Sequence, residues 1–149
     1  MDATLMEGLG RAGGAMAISL AAIGSALGAG EASMSAIGAW KKCYAQNRTA
    51  PFVLLVFIGA PLSQTIYGMI LMNAIKASTS FANWPVMLCV GVLGGIALGV
   101  SAWYQGKAGA AASDALGETG QGFGNLVAAI GIIETVALFV MVFSLIALK

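Results

Sequence analysis

Glu134 is an ionisable residue inside a long apolar stretch, residues 122–148. At about 1.5 Å of rise per residue, it lies roughly 18 Å along that stretch, near the midplane of a bilayer. An ionised carboxylate at that depth costs about 2.5 to 3.5 kcal/mol unless it is protonated, paired or bound to a cation. The residue and its position therefore predict an ion or proton site. The plainer alternative is a permanently protonated Glu that hydrogen-bonds a neighbouring helix.

Other polar side chains lie at comparable depth in two further apolar stretches. Gln64 and Tyr67 share one helix face by their i, i+3 spacing, Ser63 precedes them, and Gln105 lies in a third stretch. A hard cation requires several oxygen ligands, whereas a proton requires far less. One carboxylate, two amides and a hydroxyl favour Na⁺ over H⁺ on that ground. The two Gln side chains could instead satisfy each other across helices, and this alternative stays open.

Pro61 adds backbone oxygen to the candidate ligands. Proline has no amide hydrogen, so it leaves the carbonyl of Phe57 without its helical partner and loosens the hydrogen-bond ladder around Ala60. A carbonyl oxygen freed in this way is available to a cation. The sequence therefore predicts a mixed site of side-chain and backbone oxygens beside Glu134.

The composition places these residues in a membrane protein. Apolar residues make up 59% of the sequence and charged residues only 9%, far from the balance of a soluble domain. Long uncharged stretches separate the charges, and each can hold a spanning helix of about 20 residues. We predict an all-α integral membrane protein with four spans, over residues 10–39, 51–75, 84–112 and 122–148.

Several other classes of protein and site fit the sequence poorly. A net charge of +1 without a basic run argues against nucleic acid as a partner. The sequence has no His, and Cys43 and Cys89 are too far apart for a metal spacing, so zinc and disulfide interpretations are weak. The first residues lack the basic region and short apolar core of a secretory signal, so no cleavage is expected.

Basic residues predict the orientation of the spans. Lys41, Lys42 and Arg48 follow the first span, so the positive-inside rule places that loop in the cytoplasm. Both termini then face outward, and the second hairpin loop, expected near residues 107–121, is cytoplasmic as well. Lys76 is a single exception on the outer side. The expected location is the cell membrane, crossed four times.

Residue size divides the spans into two sorts. The first and third spans carry small residues at packing intervals, among them Gly24, Gly28, Gly91, Gly95 and Gly99. Such positions let helix backbones approach, since van der Waals contact replaces the hydrophobic drive in lipid. The second and fourth spans are bulkier and suit lipid contact. This order occurs twice and predicts a tandem duplication of one hairpin, in residues 1–80 and 81–149.

Three segments carry a resemblance to a known family. They are residues 60–68 (APLSQTIYG), the segment Gln105-Gly106-Lys107-Ala108 and the segment Ile133-Glu134-Thr135. Together with the length, the four spans and the Gly-rich first and third helices, they resemble the duplicated-hairpin proteolipid of rotary V-type ATPases. The polar set is more similar to the sodium-pumping bacterial K subunit than to the proton-pumping eukaryotic proteolipid.

The resemblance implies a role for each polar residue. Na⁺ would be bound by Glu134, Gln64, Gln105, Ser63 and the backbone carbonyl of Ala60. Tyr67 would hold the carboxylate in its ion-locked form through its hydroxyl. Leu62 follows Pro61 where the sodium type has a Gly, so ion affinity and selectivity stay open. A site for H⁺ alone is the alternative.

The resemblance also implies partners and a mechanism. Copies of the chain would form a homo-oligomeric ring, with the first and third helices inside and Glu134 outside, against a stator membrane subunit. Central-stalk subunits would contact the cytoplasmic loops, and membrane lipid would surround the ring. The chain would not be an enzyme on its own, because ATP hydrolysis in a peripheral sector would turn the ring and carry Na⁺, or alternatively H⁺.

Two other classes of membrane protein are alternatives. A small multidrug antiporter also places a Glu in a four-helix chain, but its acid is expected in the first helix among aromatic residues. Here Glu31 lies near the cytoplasmic end of the first span, with no aromatic before Trp40. A purely structural scaffold would explain the glycines but would leave Glu134 and the two Gln residues without a role.

Overall fold

Four long helices make up the computed structural model, which describes residues 2–149. Their bounds are Ala3–Ala45 (α1), Phe52–Lys76 (α2), Trp84–Thr119 (α3) and Phe123–Ala147 (α4). Each is long and apolar enough to cross a membrane, and no strand occurs within the described residues. The prediction of an all-α, multi-pass membrane protein with four spans is confirmed.

α1 and α3 are longer than we predicted. They contain 43 and 36 residues, so they extend about 65 and 54 Å, beyond the roughly 30 Å of a hydrocarbon core. The loop expected near residues 107–121 is helical up to Thr119, and only residues 120–122 connect α3 to α4. That expectation was wrong because the polar end of α3 does not leave the bundle but stays packed along α1.

Polar contacts hold the extended ends of α1 and α3 together. Lys42 Nζ lies 3.3 Å from Asp114 Oδ1 and 2.8 Å from Glu118 Oε1. A guanidinium nitrogen of Arg48, in the loop after α1, donates to the backbone carbonyls of Gly117 and Glu118 at 3.3 and 3.2 Å. These carbonyls belong to the last turn of α3, where they lack helical partners. The two hairpin loops therefore lie at the same end of the bundle.

Glycine lets α1 and α3 pack with their backbones in contact. A Cβ atom on Gly24 would collide with the backbone of Gly99, and one on Gly91 would collide with Gly13. A Cβ on Gly99 would come within 2.6 Å of the carbonyl oxygen of Leu20. The five glycines predicted from their spacing all lie in contact with a neighbouring helix backbone: Gly24, Gly28, Gly91, Gly95 and Gly99.

α2 and α4 pack against this α1–α3 pair through two apolar clusters. The cluster nearer the hairpin loops contains Leu54, Phe57 and Ile130, buried against alanines of α1 and α3. The cluster nearer the termini contains Leu71, Leu98 and Ala137, among others. Residues 64–67 of α2, 105 of α3 and 134 of α4 fall between these clusters along their helices. Apolar packing above and below therefore shields the polar residues from water.

Candidate ion-binding site

Both oxygens of the Glu134 carboxylate accept hydrogen bonds from other helices. Tyr67 Oη, on α2, donates to Oε1 at 2.6 Å, and Gln105 Nε2, on α3, donates to Oε2 at 3.3 Å. Glu134 itself is half-buried on α4. Bonds to an ionised acceptor are among the stronger ones in proteins, and here they also fix the direction of the carboxylate. The structure thus brings together three of the residues selected from the sequence.

Gln64 and Gln105 hydrogen-bond each other across the bundle. Gln64 Nε2 donates to Gln105 Oε1 at 2.8 Å, and both side chains are 0% exposed. Gln105 Nε2 also lies 3.4 Å from the carbonyl oxygen of Ile130. Mutual pairing was the alternative left open by the sequence, and it is the arrangement observed. The pair is nevertheless part of the site, because Gln105 accepts from Gln64 and also donates to the carboxylate of Glu134.

Ser63 and Ala60 extend the polar network along α2. Ser63 Oγ lies 3.0 Å from the carbonyl oxygen of Ala60 and 3.2 Å from Gln64 Oε1. The Ala60 carbonyl also accepts the backbone N–H of Ser63. Five oxygen-bearing groups therefore form a continuous chain of contacts, from the Ala60 carbonyl to Glu134.

A local distortion of α2 places these groups. Residues Ala60–Leu62 form a tight 3-10 turn around Pro61, which cannot donate to the helical ladder. Pro61 is buried against α1, where a Cβ on Gly28 would lie 3.1 Å from its side chain. The small residue on α1 lets α2 approach closely, and regular α-helix resumes at Ser63. Gln64 and Tyr67 then point to α3 and α4 from one face.

Two serines support the site in ways that the sequence did not indicate. Ser101 Oγ, on α3, donates to the carbonyl oxygen of Ile133 at 3.1 Å, immediately before Glu134 in the chain. Ser25 Oγ, on α1, accepts from Thr65 Oγ1 at 2.9 Å. Neither serine was among the site residues selected from the sequence. They tie the segment that carries Gln64 to α1 and the segment that carries Glu134 to α3.

No basic side chain of the described residues neutralises Glu134. Within residues 2–149 the salt bridges join Arg11 to Glu7 and Lys42 to Asp114 and Glu118. Hydrogen-bond donors stabilise a carboxylate without cancelling its charge, and an uncompensated charge in a low-dielectric medium is costly. The carboxylate can be neutralised by a proton. Alternatively, a cation can bind it if the Gln amides turn their oxygens inward, since each amide carries both a donor and an acceptor end.

Glu31 has an aromatic partner on another helix. Trp103 Nε1, on α3, donates to Glu31 Oε1 at 2.6 Å. The first span itself supplies no aromatic residue before Trp40. The indole comes from another helix, across the α1–α3 contact.

Comparison with protein families gives a match in the second half of the chain. Residues 88–147 match the family model described as the C subunit of ATP synthase. The matched segment contains α4 and most of α3, and therefore includes Gln105 and Glu134. Over these two helices the chain is therefore similar to the C subunit of ATP synthase. Comparison with curated proteins gives no match.

Proposed function

We propose that this chain is a rotor-ring subunit of a V-type ATPase and that each copy carries one Na⁺ across the membrane on Glu134. The observation that carries the proposal is the half-buried carboxylate of Glu134, held by Tyr67 and Gln105 between apolar clusters. The match of residues 88–147 to the C subunit of ATP synthase supports the same role.

Occupancy of the site couples ion movement to rotation. A bare carboxylate facing lipid is disfavoured by several kcal/mol, whereas the neutralised site escapes most of that cost. Only a loaded Glu134 therefore crosses the lipid-facing arc of the ring. At the stator subunit, a basic residue would stabilise the bare carboxylate and allow the ion to leave. The chain hydrolyses nothing itself, and ATP hydrolysis in the peripheral sector drives the rotation.

The number of oxygen groups favours Na⁺. The site combines the carboxylate of Glu134 with the amide oxygens of Gln64 and Gln105, the hydroxyl of Ser63 and the carbonyl of Ala60. Na⁺ is a hard cation, and such oxygens are the ligands that hard cations prefer. Binding would turn the two amides so that their oxygens face the ion, while the Tyr67 hydroxyl stays on the carboxylate.

Transport of H⁺ alone is the second candidate. The hydrogen bond from Gln64 to Gln105 satisfies both amides without a cation, and a proton on Glu134 would be enough to neutralise the site. In that case the same ring would carry H⁺ instead of Na⁺. In either case we place the hairpin loops in the cytoplasm against central-stalk subunits, and both termini on the outer side.

Carbodiimide labelling of Glu134 in membranes distinguishes the two ions. Carbodiimides react with protonated carboxyl groups, so bound Na⁺ should protect Glu134 at fixed pH. We expect NaCl to slow labelling, as measured by mass spectrometry of the peptide that contains residue 134. The Glu134→Gln variant controls for labelling of other acids. If NaCl gives no protection while lower pH accelerates labelling as for a simple acid, the Na⁺ assignment is abandoned and H⁺ is retained.

Transport by the assembled ATPase tests the role of Glu134 for either ion. Glu134→Gln should abolish ATP-driven transport, because the amide neither binds a proton nor neutralises a cation. Glu7→Gln is a matched control, because Glu7 is a partly exposed acid near the start of α1, away from Glu134 and from the hairpin loops, and should leave transport intact. Retained transport in Glu134→Gln would refute the whole assignment.

A further inference from the structure

Lys107 is a cation without a carboxylate partner in its own chain. Its Nζ atom lies 4.2 Å from the centroid of the Trp103 ring and 5.4 Å from that of Tyr104. Among residues 2–149, Lys107 forms no salt bridge, and its side chain is exposed. At the edge of the same indole, Trp103 Nε1 donates to Glu31. Both charged side chains therefore contact Trp103, but no salt bridge joins them within one chain.

Lys107 also lies at the depth of Glu134. It is 12 residues from the end of α3 at Thr119, and Glu134 is 11 residues from the start of α4 at Phe123. At about 1.5 Å per residue, both positions are roughly 17 to 18 Å from the hairpin turn. A lysine side chain is too short to carry its charge to the interface from there, so a charge facing lipid would be costly. A negative charge supplied by another molecule would remove the cost of placing the Lys107 charge in lipid.

The internal repeat relates Lys107 to Glu31. Residues 25–32 (SALGAGEA) and 101–108 (SAWYQGKA) align with a constant shift of 76 and share Ser, Ala, Gly and Ala at four positions. This alignment pairs Glu31 with Lys107 and Leu27 with Trp103. The shift between Gln64 and Glu134 is 70, because the second loop and the helical segments on either side of it are shorter than those of the first hairpin. The two hairpins therefore place opposite charges at equivalent positions.

In a ring of duplicated hairpins, every hairpin meets an equivalent neighbour on either side. Within the chain, Glu31 of the first hairpin contacts Trp103 of the second. Between copies, the equivalent contact joins Lys107 to Leu27 of a second copy, and Leu27 is 51% exposed in the single chain. Glu31 follows Leu27 by four residues, so it lies on the same face one turn, about 6 Å, further along α1.

We infer that Lys107 of each copy pairs with Glu31 of the next, so that the inner helices of the ring carry a belt of alternating charges. The inference rests on the ring proposed above. Leu27 is smaller than the indole that it replaces and has no hydrogen-bond donor, so the ion pair forms between copies rather than within one. The belt neutralises Lys107 at membrane depth and aligns the copies at the level of Glu134.

Cross-linking of introduced cysteines tests the contact directly. Two differently tagged chains are co-expressed, one with Lys107→Cys and one with Glu31→Cys, both in a background with Cys43→Ala and Cys89→Ser. With a bifunctional thiol reagent whose spacer is as long as a Lys–Glu ion pair, we expect a mixed dimer that carries both tags. The control pairs Lys107→Cys with Ile132→Cys, which lies at similar depth on α4 and is 70% exposed, and should give no dimer. A ring that assembles without the mixed dimer overturns the inference and leaves the proposed function intact.

Charge reversal tests the energetic role of the same pair. Lys107→Glu and Glu31→Lys should each lower the temperature at which the detergent-solubilised ring dissociates, and the double reversal should recover most of that loss. Glu31→Gln keeps an oxygen for Trp103 but removes the charge, so it should weaken the ring as well. Single reversals that leave the dissociation temperature unchanged overturn the inference. If the unsubstituted chain forms no ring, the proposed function is overturned as well. Failure of the ion pair can therefore be told apart from failure of the proposed function.

Discussion

Tyr67→Phe removes one hydroxyl from the candidate site and leaves the aromatic ring in place. The lost bond joins Tyr67 Oη to Glu134 Oε1 at 2.6 Å, and a hydrogen bond to a charged group contributes about 1.5 to 3 kcal/mol. A protonated carboxyl accepts a hydrogen bond more weakly than an ionised one. Loss of the Tyr67 hydroxyl therefore destabilises the Na⁺-loaded form of Glu134 more than the protonated form. At 1.4 kcal/mol per tenfold, Na⁺ binding should weaken by about 10- to 150-fold.

The assay is the NaCl concentration that halves the rate of carbodiimide labelling of Glu134 at fixed pH. Tyr104→Phe is the matched control, because Tyr104 is 56% exposed on α3 and makes no hydrogen bond to Glu134 within the described residues. It should leave the half-protecting concentration unchanged. If Tyr67→Phe also leaves that concentration unchanged while NaCl still protects, the hydroxyl does not close the site over the ion.

Three further perturbations follow from the contacts. Gln105→Ala should reduce Na⁺ protection more than Gln64→Ala, because only Gln105 touches the carboxylate of Glu134; equal effects of the two variants would contradict this order. Gly24→Val should lower the melting temperature in detergent sharply, because its Cβ would collide with the backbone of α3, whereas Gly30→Ala, with open space around it, should not; similar melting temperatures would refute the backbone contact. Lys42→Ala should leave the melting temperature in detergent nearly unchanged, because its ion pairs are exposed and screened by solvent; a large drop would contradict that screening.

Local sequence was sufficient to predict the features that depend on the solvent around each helix. The four spans follow from long uncharged stretches, because an unpaired charge is disfavoured in lipid whatever its neighbours are. Glu134 could be selected for the same reason. The i, i+3 spacing of Gln64 and Tyr67 placed both on one face of a helix, because helical geometry alone determines which residues share a face.

The lengths of α1 and α3 could not be predicted in this way. Lys107, Asp114 and Glu118 were assigned to a loop because they are charged, yet all three are helical. Their helix is retained because its buried face, at Leu116 and Gly117, packs against Ala39 of α1, more than 65 residues away in sequence. Contacts of that separation leave no local signal in the chain.

The sequence by itself determined that this protein lies in a membrane, how many times it crosses, and which carboxylate lies at the centre of a span. Only the tertiary structure decided that Gln64 donates to Gln105 and that Trp103, rather than a residue of α1, contacts Glu31. The physical reason is that insertion in lipid depends on the residues of one helix taken alone. Hydrogen bonds between helices depend instead on how closely two backbones approach and at what rotation, and the glycines of α1 and α3 set both through contacts with residues distant in the chain.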